Sequence, residues 1–197
     1  MPVTTAVIFL CGMWRRSRNQ YENLSRSDCK HLQLKSREEL IMNLTIRKVT
    51  IADYDAIYSL WCSTEQTRRA MNPVDDSREG IEKYLKRNPN TCFIAESKDG
   101  TGDAPEIAGV ILTGHDGRRA IIHHLCVHPA YRREGIASAL VKKAEEALKE
   151  EGINKIFGLV FKDNDTANAF WEKQGYTLRT NLNYRNKSLN AGVPQGE

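Results

Sequence analysis

Apolar and polar side chains alternate along residues 44–49, Leu-Thr-Ile-Arg-Lys-Val, as a half-buried strand requires. Thr50, with Asp53 three positions on, reads as a capping box, and Ile51, Tyr54, Ile57, Tyr58 and Trp61 share one stripe of the helix it would open. That stripe is core packing. Residues 63–76 lose any period and contain Pro73, so they predict a loop; Ile81, Tyr84 and Leu85 then mark the inner face of a helix over 77–87. Two apolar runs, 91–96 and 107–113, flank the turn-rich Lys98-Asp99-Gly100-Thr101-Gly102-Asp103 and predict an antiparallel hairpin. Asp116-Gly117 makes the next turn, and residues 120–127 complete a three-strand meander. A long helix follows over 135–151, with Ile136, Leu140, Val141, Ala144 and Leu148 on one face and Gly152 as its stop. The remainder predicts a strand over 155–161, a short helix capped by Asn164 or Asp165 and ended by Gly175, and a final strand pair over 176–189.

Composition changes this picture mainly at the front of the chain. A length of 197 residues with 40% apolar content fits one globular core. The net charge of +4 raises the question of nucleic acid, but residues 1–41 hold seven Lys/Arg and four Asp/Glu, against 22 and 21 in the rest. The body is therefore near neutral, and no nucleic-acid groove is expected. Five cysteines without a Cys-x-x-Cys pair argue against a disulfide framework and against a structural zinc site, and fit a reducing cytoplasm. The apolar run over 6–14 is too short to span a bilayer, and Arg15, Arg16 and Arg18 follow it, the reverse of a secretory signal, so neither membrane nor export is expected. Residues 1–41 form an N-terminal extension read as disordered or as an untranslated stretch. In the second case translation begins at Met42, with Arg37-Glu38-Glu39 encodable by a purine-rich ribosome-binding sequence. The domain proper is then 42–197.

The chemistry concentrates over 121–137. A β-branched strand stops at Pro129, which has no N–H to donate, and Gly135 opens the long helix. A helix start leaves backbone N–H groups unpaired at the positive end of the macrodipole, so Arg132 to Ala137 reads as a phosphate cradle to which Arg132 and Arg133 add charge. Neither P-loop spacing nor a Gly-x-Gly-x-x-Gly turn is present. What stands here is Arg132-x-x-Gly135-x-Ala137 directly after Leu125-x-Val127-x-Pro129. This resembles the acetyl-CoA signature of the GNAT superfamily of N-acetyltransferases, Gln/Arg-x-x-Gly-x-Gly/Ala. A second stretch, Asn164 to Tyr176, resembles that family's Asn-x-x-Ala-x-x-Phe-Tyr-x-x-x-Gly-Phe at Asn164, Ala167, Phe170, Gly175 and Tyr176. The likeness covers 42–189 and looks closest to small stand-alone bacterial members of the YpeA type.

The resemblance implies an α/β (α+β) GNAT fold: a central mixed, mostly antiparallel sheet of six to seven strands flanked by about four helices. It implies acetyl-CoA as donor, no metal, an amine acceptor of small-molecule or protein origin, and direct transfer in a ternary complex. A homodimer is in keeping with it. In such proteins the first helix–loop–helix region walls the acceptor site. The cofactor would lie along Leu125, Cys126 and Val127, with its diphosphate on Arg132, Arg133, Glu134, Gly135, Ile136 and Ala137, and with Asn164 and Trp171 beside it. A backbone N–H near Leu125 to Val127 would polarise the thioester carbonyl. His123, with an ordinary pKa suited to proton transfer, is the candidate base, although an ordinary strand histidine looks the same. Period two puts Ile121, His123 and Leu125 on one face and His124 and Cys126 on the other, subject to any bulge. The family's tyrosine acid is Trp171 here, and an indole cannot give up a proton; either the thiolate leaves unaided, or Tyr131 or Tyr176 stands in. A relay through Cys126 is disfavoured against direct transfer. The competing class is a non-catalytic acyl-CoA-binding module that keeps the cradle and has lost its acid.

Overall fold

The computed structural model describes residues 44–97 and 106–189. The extension over 1–41 and the turn from Lys98 to Asp103 lie outside the described residues. Five strands, β1 (Leu44–Lys48), β2 (Phe93–Ser97), β3 (Glu106–His115), β4 (Ala120–Val127) and β5 (Ile156–Gly158), form one sheet in chain order. The first four pair antiparallel and β5 joins β4 in parallel. Helices α1 (Tyr54–Cys62), α2 (Glu65–Ala70) and α3 (Arg78–Arg87) precede β2; α4 (Ile136–Glu150) makes the crossover from β4 to β5, and α5 (Asp165–Lys173) follows.

Alternation along the strands divides the core between two faces. Cys92, Ile94, Val110, Leu112 and Cys126 pack with Ile57, Leu60 and Trp61 of α1 and Ile81 of α3. Their neighbours Phe93, Ala95, Ala108, Ile111 and Ile122 pack with Ile136, Leu140, Val141, Ala144 and Ala147 of α4. Gly109 sets how close α4 comes: a Cβ there would sit 3.1 Å from both the Cys126 carbonyl oxygen and Ile136 Cγ2. The start of α4 is thereby drawn against the end of β4.

The expected elements recur with four differences. Residues 63–76 hold a helix as well as a loop: the Thr64 side chain caps α2 by accepting from Thr67 N–H, with Glu65 in the first turn and Arg68 and Arg69 in the last. With no apolar stripe, α2 left no period to read. The strand expected over 155–161 is three residues long, because β4 bulges at the next position. Pairing runs Leu112 to His124 and then Thr113 to Ile122, leaving His123 without a partner on β3, and β5 stops at the Ile122–Gly158 pair. The final strand pair is absent; residues 176–189 carry no strand, and Leu178, Leu182 and Tyr184 are 62–73% exposed, with no sheet face to bury them. The described sheet therefore has five strands rather than six to seven, and five α-helices rather than about four flank it.

Candidate active site

The turn after β4 is made by backbone. His128 caps a 3-10 turn over Pro129–Tyr131, and Arg132 Nε donates to the Val127 carbonyl at 3.3 Å, folding the turn back on the strand end. Arg133 (φ 71°) and Gly135 (φ 81°) then take the left-handed conformation on either side of Glu134. For Arg133 that conformation costs about 1–2 kcal/mol. A Cβ added at Gly135 would meet nothing within 4 Å, so the space next to the start of α4 is open. Helix geometry leaves the N–H groups of Ile136 and Ala137 without an acceptor inside α4. Fanned donors, a positive dipole end, adjacent arginines and open space suit a diphosphate.

The strand beside this turn is open as well. β5 leaves β4 after Ile122, so no strand among the described residues flanks Leu125, Cys126 and Val127 on that side. The Cys126 thiol is buried, which pushes its pKa up to about 11, outside the range of a nucleophilic thiolate at neutral pH. The side chain of Asn164 accepts from Ala167 N–H at 3.1 Å as the cap of α5. Trp171 is half-buried between Phe170 and Tyr176, ring centroids 5.1 and 4.7 Å away, on the α4 side of the sheet. Both stand-in tyrosines are engaged: Tyr131 donates to Glu106 at 3.0 Å and Tyr176 to Glu145 at 2.9 Å, and burial with that carboxylate contact raises the Tyr176 pKa.

The bulge reverses the expected facing of His123. Ile122 lies with Leu125 and Val127 on the α4 side, whereas His123 meets the ring of Tyr84 on α3 edge-on, centroids 5.3 Å apart, so it shares the α1–α3 side with His124. A ladder that skips one residue shifts the phase of period two from that residue on, the bulge to which the expected facing was subject. His123 is exposed, and its pKa lies below the ordinary 6.5, first through loss of water on its packed side and then through the charge of His124. His124 is buried: its Nε2 lies 2.8 Å from Asp76 Oδ1 and its ring stacks on Trp61 at 4.4 Å. Asp76 Oδ2 accepts from Asn72 N–H at 2.7 Å, and its carbonyl accepts from the Tyr54 hydroxyl at 2.9 Å. The pairing of Asp76 with His124, 48 positions apart, had no signal in the sequence.

A cleft of about 380 Å³ opens between α2 and the segment entering α5, lined by Glu65, Gln66, Arg69, Phe161 and residues 163–166. Arg69 crosses it, 2.7 Å from Asp163 and 4.0 Å above the Phe161 ring. Thr67, on the same helix, lies beside the Cys126 thiol, so this wall adjoins the end of β4. Among the described residues no cluster of His, Cys, Asp or Glu is arranged to hold a metal. None of the described helices is long and apolar enough to cross a membrane.

A crossover helix whose first amides open beside a parted strand can accommodate an acyl carrier with a diphosphate. The family model of the GNAT acetyltransferases matches residues 54–176, and the chain belongs to that family. It is 32% identical over 146 residues to an acetyltransferase of Sodalis glossinidius, covering 74% of this chain and 96% of that one. It is 34% identical over 124 residues to an acetyltransferase of Pectobacterium atrosepticum, covering 63% and 81%. The fold superposes on the PaiA N-acetyltransferase of Thermoplasma acidophilum, solved with coenzyme A, with a TM-score of 0.57 at 19% identity over 69% of this chain and 91% of that one. The protein is an N-acetyltransferase.

Proposed function

We propose that this enzyme moves the acetyl group of acetyl-CoA directly to a primary amine, on a small molecule or a protein or peptide, within a ternary complex, as a member of the YpeA type acting in the cytoplasm. The observation that carries the reading is the coincidence of two openings. Pairing of β4 with β5 ends at Ile122, and the space over Gly135 is clear. Coenzyme A fits that corner, with diphosphate on the amides of Glu134 to Ala137 beside Arg132 and Arg133, and its arm along Leu125 to Val127. Bound there, it supplies an activated acetyl thioester.

The chain's own groups do the rest. A backbone N–H of the Leu125 to Val127 segment polarises the acetyl carbonyl, and its fixed direction makes it effective where charge develops on oxygen. His123 accepts a proton from the acceptor ammonium; its depressed pKa leaves the imidazole neutral at pH 7. The amine attacks, the carbon–sulfur bond breaks, the new amide nitrogen gives its remaining extra proton to solvent, and the thiolate leaves without a side-chain acid, since Trp171 cannot supply a proton and Tyr131 and Tyr176 are held by carboxylates. Asn164 contributes as the cap of the α5 start and Trp171 as packing behind the coenzyme arm. A homodimer and the absence of nucleic-acid partners complete the reading.

The test is thiol release from acetyl-CoA with a panel of neutral, cationic and acidic amines, alongside calorimetric titration of coenzyme A. Amine-dependent thiol release is expected. Tight coenzyme binding with no amine consumed would overturn the acceptor assignment, and acetylation of the enzyme without acceptor would overturn direct transfer.

A further inference from the structure

A buried carboxylate–imidazole pair that the reaction above does not use lies behind the candidate base. Asp76 is 8% exposed and His124 9%, and they meet at 2.8 Å across 48 residues. Leaving either alone in that environment would cost several kcal/mol, whereas well-packed apolar residues of similar volume would stabilise the core as well or better. Stability alone therefore does not account for the pair.

Its connections show what it does hold. His124 is the first residue after the bulge, and its ring is pinned between the Asp76 carboxylate and the Trp61 ring. Asp76 is fixed in turn by Asn72 N–H and by the hydroxyl of Tyr54, so the segment between α2 and α3 is tied to the central strand at the point where His123 turns outward. His123 is faced by His124 from its own strand, by Asp75 and Asp76 from that segment and by Tyr84 from α3. We propose that Asp76 and His124 are positioning residues: together they anchor the acceptor-side wall to the bulge of β4 and set the direction and electrostatic surroundings in which His123 meets the acceptor amine.

The inference rests on His123 as the base, and the two are separable. The first measurement needs no acceptor: the Cε1–H resonance of His123 is titrated by NMR in the full-length protein, assigned by its loss in His123→Gln. Asp76 raises the affinity of His123 for a proton and His124 lowers it. Asp76→Asn is therefore expected to move the midpoint to lower pH and His124→Gln to higher pH, each on the order of half a unit. With the amine that turns over best in the panel, the acid limb of kcat/KM should follow the same opposite displacements. A merely structural pair would lower stability and leave both midpoints in place, and folded variants with unmoved midpoints would overturn the proposal. If His123→Gln leaves the acid limb intact while the resonances shift as expected, the base assignment fails and the positioning role stands.

Should either single variant fail to fold, Asn72→Ala decides the matter: it removes the side-chain carbonyl that accepts from the Val74 and Asp75 N–H groups, loosening the turn whose Asn72 N–H holds the Asp76 carboxylate, and leaves both buried partners in place. A displaced His123 resonance and a several-fold lower kcat, with coenzyme A affinity unchanged, is the expected result. No change in either would overturn the proposal.

Discussion

The two flanks of β4 are built from different materials. On the proposed coenzyme side the site is backbone: amides at the start of α4, two left-handed residues, and a strand edge exposed where β5 departs. On the proposed acceptor side it is side chains brought from distant parts of the chain, with His123 and His124 from β4, Asp76 from the α2–α3 segment, Tyr84 from α3 and Arg69 from α2. A backbone site tolerates many side chains but needs particular conformations at a few residues, here Arg133 and Gly135. A side-chain site can be retuned residue by residue. The division suits a family in which the donor stays the same and the acceptor changes.

The sharpest way to break the comparison is at Gly135. Gly135→Glu places a carboxylate in the open space over the helix start, at a residue with φ 81°. Coenzyme A binding is expected to become undetectable by calorimetry, whereas the left-handed conformation alone costs about 1–2 kcal/mol of stability. Gly135→Asn, which tolerates that conformation, should keep the fold and separate strain from repulsion. Retained affinity in Gly135→Glu would remove the diphosphate from this corner.

His123→Gln tests the other flank. Removing a general base is expected to lower kcat/KM by about 10²–10⁴, with coenzyme A affinity unchanged. The pH profile carries the sign. In the wild type, activity should fall as the pH drops through a midpoint below 6.5, because protonation takes the base away. In the variant that limb should be missing.

The same division explains what the sequence disclosed. Arg132-x-x-Gly135-x-Ala137 after Leu125-x-Val127-x-Pro129 is a local run, and backbone conformation is set locally by proline, glycine and helix start, so the turn and open helix start of the proposed coenzyme corner were legible. The capping box at Thr50 and Asp53 was legible for the same reason, and so was the stripe over α1 except that Tyr58 is 44% exposed and Leu60, outside the stripe, is buried. Period two could not show the bulge at His123, because a skipped residue changes the phase without changing the composition. The pairing of His124 with Asp76 depends on how α2 and α3 fold over the sheet, and nothing within either segment encodes it. Residues 176–189 carried apolar residues at strand-like density, but density without a partner edge does not make a strand.

Trp171→Tyr restores the family's tyrosine and asks whether its loss matters. The indole sits between Phe170 and Tyr176, so the smaller ring is expected to cost about 1–2 kcal/mol through the cavity it leaves. No gain in kcat is expected if the thiolate departs unaided. A rise of about tenfold, with a new loss of activity near pH 10 as the phenol ionises, would show that the reaction lacks an acid the tyrosine can supply.

Arg69→Ala makes the smallest change and sharpens the acceptor side most selectively. Its pair with Asp163 is exposed, 53% and 64% for the two side chains, so its loss should leave Tm within about 2 °C. The contact also quenches one of the carboxylates lining the cleft and holds the Asp163 pKa down. Without the guanidinium, Glu65, Asp163 and Asp165 face the cleft with no cation among its lining residues. KM for a diamine should then fall by roughly two- to threefold while a neutral monoamine is unaffected, and the difference should shrink at about 1 M salt, where exposed charges are screened. Equal changes for both amines would mean that Arg69 shapes the cleft without setting its charge preference, and the acceptor flank would then be tuned by His123 and its buried pair alone.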